Sequence, residues 1–108
     1  MILTTTQAVE NKNITAHLGI VVGETIIGAN FFKDFLASIR DFIGGRSGSY
    51  EKVLLKARET SMNELTEAAI RLNADAIVAI DFHYETIGKD GSMLMVAVTG
   101  TAVKFEDR

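Results

Sequence analysis

The sequence GETIIGANFFKDFLASIRDFIGGRSGSYE, residues 23–51, joins the end of a strand to a two-sided helix and then to a glycine-rich turn that opens a second helix. Residues 14–27 are rich in β-branched side chains and predict one or two strands, with a break near Gly23. Asn30 is suited to cap the first helix, and Gly44 and Gly45 to end it. The large apolar residues of that helix fall within an arc of about 140°: Phe31, Phe32, Phe35, Leu36, Ile39, Phe42 and Ile43.

The second helix is predicted over residues 50–72, after a turn at residues 44–49 with a serine available as its cap. Glu51 and Arg58 project within about 20° of each other on its apolar stripe. This placement predicts a buried or interfacial ion pair, which is more often structural than catalytic. The apolar stripe itself comprises Tyr50, Leu54, Ala57, Leu65, Ala68, Ala69 and Leu72.

The last third of the chain predicts a β-hairpin, with strands over residues 76–87 and 93–105 and a turn containing Asp90-Gly91. A short strand is also predicted around residues 2–5. A loop of two or four residues would put Val78, Ile80, Phe82 and Tyr84 on one face with Met95, Ala97, Thr99, Thr101 and Val103. The other face would then carry Asp81, His83 and Glu85 beside Leu94, Val96 and Val98. Such a half-apolar, half-charged face is expected to meet another subunit or the remaining helix.

Composition excludes several classes of protein. The 108 residues fit a single domain, residues 1–108, although 47% of them are hydrophobic. The chain has no cysteine, so disulfides, thiolate metal sites and cysteine nucleophiles are excluded. A net charge of −3 gives no support to nucleic-acid binding. Without a signal-peptide pattern or a long apolar run, the sequence favours a cytoplasmic protein that does not contact membranes.

Separated motifs along nearly the whole chain resemble those of the YbjQ family, small bacterial and archaeal proteins that carry a heavy-metal-binding label. They are Gly23-Glu24, Gly28-Ala29-Asn30, Arg40-Asp41, Gly44-Gly45-Arg46-Ser47, Tyr50-Glu51, Lys56-Ala57-Arg58-Glu59, Ala74-Asp75-Ala76 and Gly91-Ser92-Met93-Leu94. The resemblance implies an α+β subunit of dodecin-like type, with an antiparallel sheet packed against two helices. It also implies a ring-shaped homopentamer, in which the partners of each chain are other copies of the same chain.

Asp81, His83 and Glu85 are the candidate metal ligands, because they offer oxygen and nitrogen donors on alternate residues of one strand. Adjacent members lie roughly 6.7 Å apart along the strand, so two of them could bind one ion and all three could not. Neighbouring subunits could complete a site for a divalent ion such as zinc, nickel or copper. The alternative is a polar strand edge with a structural role.

The glycine-rich turn is the second candidate, for a small anionic ligand. Gly45, Arg46 and Ser47 precede a helix start, where free N–H groups and the helix dipole favour anions. Tyr50, Glu51 and Arg58 lie further along the same helix. The alternative is a plain connection between helices, with glycines for the turn and a serine cap.

No catalytic motif is present: neither histidine lies near a G-x-S-x-G serine, and no pair of carboxylates has a spacing typical of acid–base catalysis. The sequence therefore predicts a non-enzymatic, ring-forming module that binds a small ligand or ion or serves as a scaffold. The alternative hypothesis is a metal-handling protein or an enzyme with sites at subunit boundaries. A third hypothesis, a ring that binds a flavin or a nucleotide, is based only on analogy with the dodecin-like fold.

Overall fold

The computed structural model describes residues 1–28, 46–89 and 93–108, with only the backbone for residues 46–50. The elements are β1 Ile2–Leu3, β2 Lys12–Ile27, α1 Arg46–Arg71, β3 Ala76–Ile87 and β4 Met93–Asp107. The strands form one sheet in the order β1-β3-β4-β2, and α1 packs on one of its faces. The small α+β fold predicted from the sequence is confirmed.

The sheet is mixed, and the prediction of an antiparallel sheet was wrong in this respect. β1 runs parallel to β3, with Ile2 beside Ala76, whereas the β3–β4 and β2–β4 pairs are antiparallel. The segment after β1 continues along β3, because Thr4 donates its N–H to the carbonyl of Ile77 and Ala79 donates to Thr6. The N-terminal segment thus covers the outer edge of the first half of β3.

Helix α1 begins at Arg46, four residues before the predicted start at Tyr50. Residues 46–49, which were predicted to form a turn, are therefore the first residues of the helix. Their N–H groups are among those that have no partner within the helix. After Arg71 the helix ends with Asn73 at a positive φ of 59°, and the N–H groups of Asn73 and Ala74 return to Ile70 and Ala69. The first helix predicted from the sequence, at residues 30–43, lies outside the described residues.

β2 is a single strand, and the predicted break near Gly23 is absent from it. Gly23 lies within regular pairing, opposite Val98, and the irregularities fall earlier, between Ile14 and Ala16 and between His17 and Gly19. Gly19 has a φ of 137°, which L side chains rarely adopt, so this glycine serves the second irregularity. From residue 20 onward the pairing with β4 is continuous.

β3 has the predicted extent and β4 runs two residues beyond its predicted end at Phe105, but the predicted faces are wrong over residues 81–87. Phe82 pairs with Val98 and His83 with Ala97, so Phe82 shares a face with Val96 and Val98 rather than with Ala97. Five residues, 88–92, separate the two strands. The prediction assumed a loop of two or four residues, and an odd number of residues puts the opposite set of side chains on each face. A bulge between Val78 and Asp81 restores the predicted parity, and Val78 pairs with Thr101 as expected.

The main core lies between α1 and the sheet. The buried stripe of α1 recurs every four residues: Val53, Ala57, Ser61, Leu65 and Ala69. It contacts buried residues of all three long strands, namely Val21, Ile27, Ile77, Ile80, Val96, Val98 and Ala102. Of the predicted stripe, Leu72 is exposed and Leu54 and Ala68 are half-buried, because the actual stripe is rotated toward Val53.

A second, smaller core lies on the opposite face, beneath the N-terminal segment, where Val9 packs on Ala76, Val78 and Val103. Asp75 fixes the start of β3 beside it by accepting hydrogen bonds from the Phe105 N–H at 3.0 Å and the Lys104 ammonium group at 3.3 Å. These two donors hold the pKa of the Asp75 carboxyl below its ordinary value.

Candidate functional site

One face of the sheet packs against α1. On the opposite face, the N-terminal segment covers only the first half of β3, and no described residue covers the rest. We call this uncovered surface the open face. Cross-strand pairs define it, because residues directly opposite one another point to the same side. Its members are Ile20, Val22, Glu24 and Ile26 of β2, Met95, Ala97 and Thr99 of β4, and Asp81, His83 and Glu85 of β3.

Asp81 and His83 are brought together on the open face. The imidazole Nε2 of His83 lies 3.3 Å from the Asp81 carboxylate, and both side chains are more than half exposed. Glu85 follows on the same face and is also exposed. Within the described parts of the chain, no three His, Asp or Glu side chains are close enough to hold a metal ion. The described residues of one chain therefore bring together one pair of donors, Asp81 and His83.

Glu24 shares the open face with these residues, although it was not among the candidate site residues predicted from the sequence. It lies opposite Ala97, which in turn lies opposite His83, so the three form one row across the sheet. Two strand spacings, roughly 9.6 Å, separate the backbones of Glu24 and His83. Only the strand order β3-β4-β2 reveals this row, and that order is not apparent from alternation within one strand.

The ligand site predicted at the glycine-rich turn lies largely outside the side chains that the structure describes, so it stays a prediction. Gly45 lies outside the described residues, and Arg46, Ser47 and Tyr50 belong to the first turns of α1, where only the backbone is described. Glu51 is exposed on the same helix.

The ion pair predicted for Glu51 and Arg58 is not buried within the chain, and an interfacial ion pair stays a prediction. Both side chains are exposed, because the buried stripe of α1 runs through Val53 and Ala57 instead. Among the described residues the ion pairs are Lys12–Asp107, Asp81–His83 and Asp75–Lys104. Arg58 instead lines a groove of about 510 Å³ with Glu59, Met62, Asn63 and Phe82, on the β3 side of α1.

A cavity of about 340 Å³ opens on the other flank of α1, beside the end of β2. Its walls are largely apolar, with Lys56 and Thr60 as its polar lining residues from the helix. The remaining lining residues are Thr25, Ile26, Ile27, Gly28, Val53 and Ala57. This cavity could not be predicted from the sequence, because it forms between two elements that are distant in the chain.

The buried hydroxyl group of Ser61 has a structural role. Its oxygen lies 2.8 Å from the Thr25 hydroxyl and 3.1 Å from the carbonyl oxygen of Val96. Ser61 is fully buried, and its hydrogen-bond partners lie on β2 and β4. It therefore fixes α1 on the sheet and is not placed as a nucleophile.

In the described parts of the chain, no helix has the length and apolar character needed to cross a membrane.

Comparison with known proteins gives a family and a fold. A family model described as "Putative heavy-metal-binding" matches residues 1–106. The crystal structure of a protein with unknown function from Pediococcus pentosaceus, which belongs to the DUF74 family, is similar with a TM-score of 0.58. That protein is 15% identical in sequence, and the match covers 98% of each chain. At this identity the likeness supports the fold alone.

Proposed function

The chain belongs to the YbjQ family, whose model carries the description "Putative heavy-metal-binding", and we propose that it is a non-enzymatic, self-associating module. Copies of the single domain, residues 1–108, assemble into a ring of five, as the family resemblance implies. The assembly binds a small ligand or ion between copies. The dodecin-like arrangement and the cytoplasmic location predicted from the sequence form part of this proposal.

The exposed apolar surface of β2 supports self-association. β2 is an outer strand of the sheet, and three of its side chains on the open face are exposed by 79% (Ile20), 52% (Ile26) and 43% (Val22). A long outer strand with exposed apolar side chains is a template for pairing with another chain. Burial of these side chains would stabilise an assembly by about 1 kcal/mol each.

Sedimentation velocity at micromolar concentration tests self-association. We expect the wild-type protein to sediment as an assembly and the Ile20→Lys/Ile26→Lys double variant as single chains, because the charges would be desolvated in a contact. Thr15→Lys is the matched control, since Thr15 is exposed on the irregular part of the same strand. Single wild-type chains at tens of micromolar would overturn the proposal.

The predicted anion site stays part of this proposal. It comprises the start of α1 at Arg46 and Ser47, with Gly45, Tyr50, Glu51 and Arg58. Its support is that α1 begins at Arg46, so that the first N–H groups of the helix lie at these residues.

Divalent-metal binding by Asp81 and His83 is the second candidate function, and the contact between these side chains favours it. A carboxylate and an imidazole suit zinc, nickel and copper, and the two side chains are within 3.3 Å of each other. The two donors from the described residues leave positions open on the ion, and side chains of an adjacent copy would fill them. The site would thus depend on the assembly.

Calorimetric titration of the assembled protein with Zn²⁺, Ni²⁺ and Cu²⁺ tests this second candidate. We expect one ion per chain at saturation, because a ring has as many contacts between adjacent copies as it has chains. His83→Ala should weaken binding at least tenfold. His17→Ala removes the other histidine, which lies opposite Val103, and should leave affinity unchanged. Equal affinity in wild type and His83→Ala would exclude this site.

A further inference from the structure

Among the described residues, both edges of the sheet lack a strand partner over the same half of the sheet. At one edge, residues 20–27 of β2 pair with β4 on the inner side without irregularity. At the other edge, β1 and the N-terminal segment cover β3 only as far as Ile80, whose N–H donates to Thr4. Among the described residues, no strand pairs with the outer edges of residues 20–27 or 81–87.

An exposed aromatic side chain stands at the β3 edge. Tyr84 is 48% exposed and stacks with Phe82, with ring centroids 6.4 Å apart and ring planes 13° apart. Both rings point to the side of the sheet that carries α1, because Tyr84 pairs with Val96 and Phe82 with Val98 of the helix-facing core. The helix packs mainly on β2 and β4 and leaves Tyr84 exposed.

The apolar cavity stands at the β2 edge, at the same height along the strands. Thr25, which lines it, pairs with Val96, and Val96 pairs with Tyr84. One row across the sheet therefore carries an aromatic ring at one end and a cavity of about 340 Å³ at the other. Both lie on the side of the sheet that carries α1.

We propose that copies of this chain associate head to tail through these edges, with Tyr84 of one copy inserted in the cavity of the next. The inference rests on the self-association proposed above and identifies its contact. The partner is a second copy, because one chain carries both the aromatic ring of Tyr84 and the cavity that would accept it, in the same row across the sheet. Such a heterologous contact repeats around a ring when its rotation closes. Aromatic side chains that fill apolar pockets are typical anchors of interfaces.

Two variants separate the two halves of the contact. Tyr84→Ala removes the aromatic side chain, and Lys56→Trp places an indole at the mouth of the cavity. Both residues are exposed, so we expect each chain to fold with the circular dichroism spectrum of the wild type. Thr86→Ala and Lys52→Trp are matched controls at exposed positions of the same strand and helix that do not line the cavity.

Native mass spectrometry and sedimentation velocity then report the assembly. We expect each variant alone to associate about thirtyfold more weakly than the wild type, and each control to assemble like the wild type. An equimolar mixture of the two variants should form a heterodimer of one chain each and nothing larger, because only one intact contact remains. Assembly of either variant like the wild type, or no heterodimer in the mixture, would overturn the head-to-tail contact alone. A wild-type protein that stays single-chained would instead overturn self-association itself.

Discussion

Gly23 lies where β2 and α1 are too close to accommodate a side chain. A Cβ at this position would overlap the backbone carbonyl of Ser61. The Ser61 hydroxyl, in turn, contacts the Thr25 hydroxyl and the carbonyl of Val96, and the Thr25 hydroxyl donates to the carbonyl of Ala57 at 3.3 Å. Backbone contact and buried hydroxyls together fix the position of α1 along the sheet.

We expect Gly23→Ala to lower the free energy of unfolding by about 3 kcal/mol, because backbone atoms on both sides would have to move apart. Urea denaturation followed by circular dichroism measures this change. Gly28→Ala is the control, since a Cβ there meets no atom within 4 Å, and it should be nearly neutral. Equal stability of the two variants would show that α1 shifts freely on the sheet.

At the level of elements, strand extents were predictable and strand faces were not. Alternation within residues 76–87 correctly grouped Asp81, His83 and Glu85, because side chains on a strand alternate whatever its partner. Their cross-strand neighbours depended on a five-residue loop and on the bulge after Val78, neither of which hydrophobic pattern specifies. The same limit hid Glu24, Tyr84 and the cavity, which are related only through the strand order.

The bulge places Ala79 at a φ of 55°, in a conformation that costs an alanine about 1 kcal/mol or more. Opposite it, Gly100 leaves room for the side chains of Ile77 and Ile80. The bulge is therefore accommodated by a glycine on β4, while an alanine bears the strain on β3.

We expect Ala79→Gly to leave the free energy of unfolding unchanged or to raise it by up to about 1 kcal/mol, because glycine adopts this φ without strain. Ala97→Gly, in a regular part of β4, should lower it by about 1 kcal/mol. Thermal unfolding of both variants provides the comparison. Destabilisation of similar size in both would mean that the bulge bears no strain.

At the level of the whole molecule, the described residues protect each edge of the sheet over one half and leave it open over the other. Two irregularities interrupt β2 before residue 20, and the N-terminal segment lines β3 up to Ile80. The open halves coincide with the exposed apolar side chains of β2 and with Tyr84. The hydrophobic content of the sequence indicated that some apolar surface would stay exposed on a single chain. Only the strand order shows that this surface lies near the edges of the sheet.

The strand order also governs the sequence in which the fold can be completed during translation. β1 and β2 leave the ribosome first, yet β1 pairs with β3 and β2 pairs with β4, which extends to Asp107. Contacts between residues so distant in the chain form slowly. The nascent chain must therefore carry the apolar side chains of β2 without a strand partner until β4, the central strand that joins β2 to β3, has been synthesised.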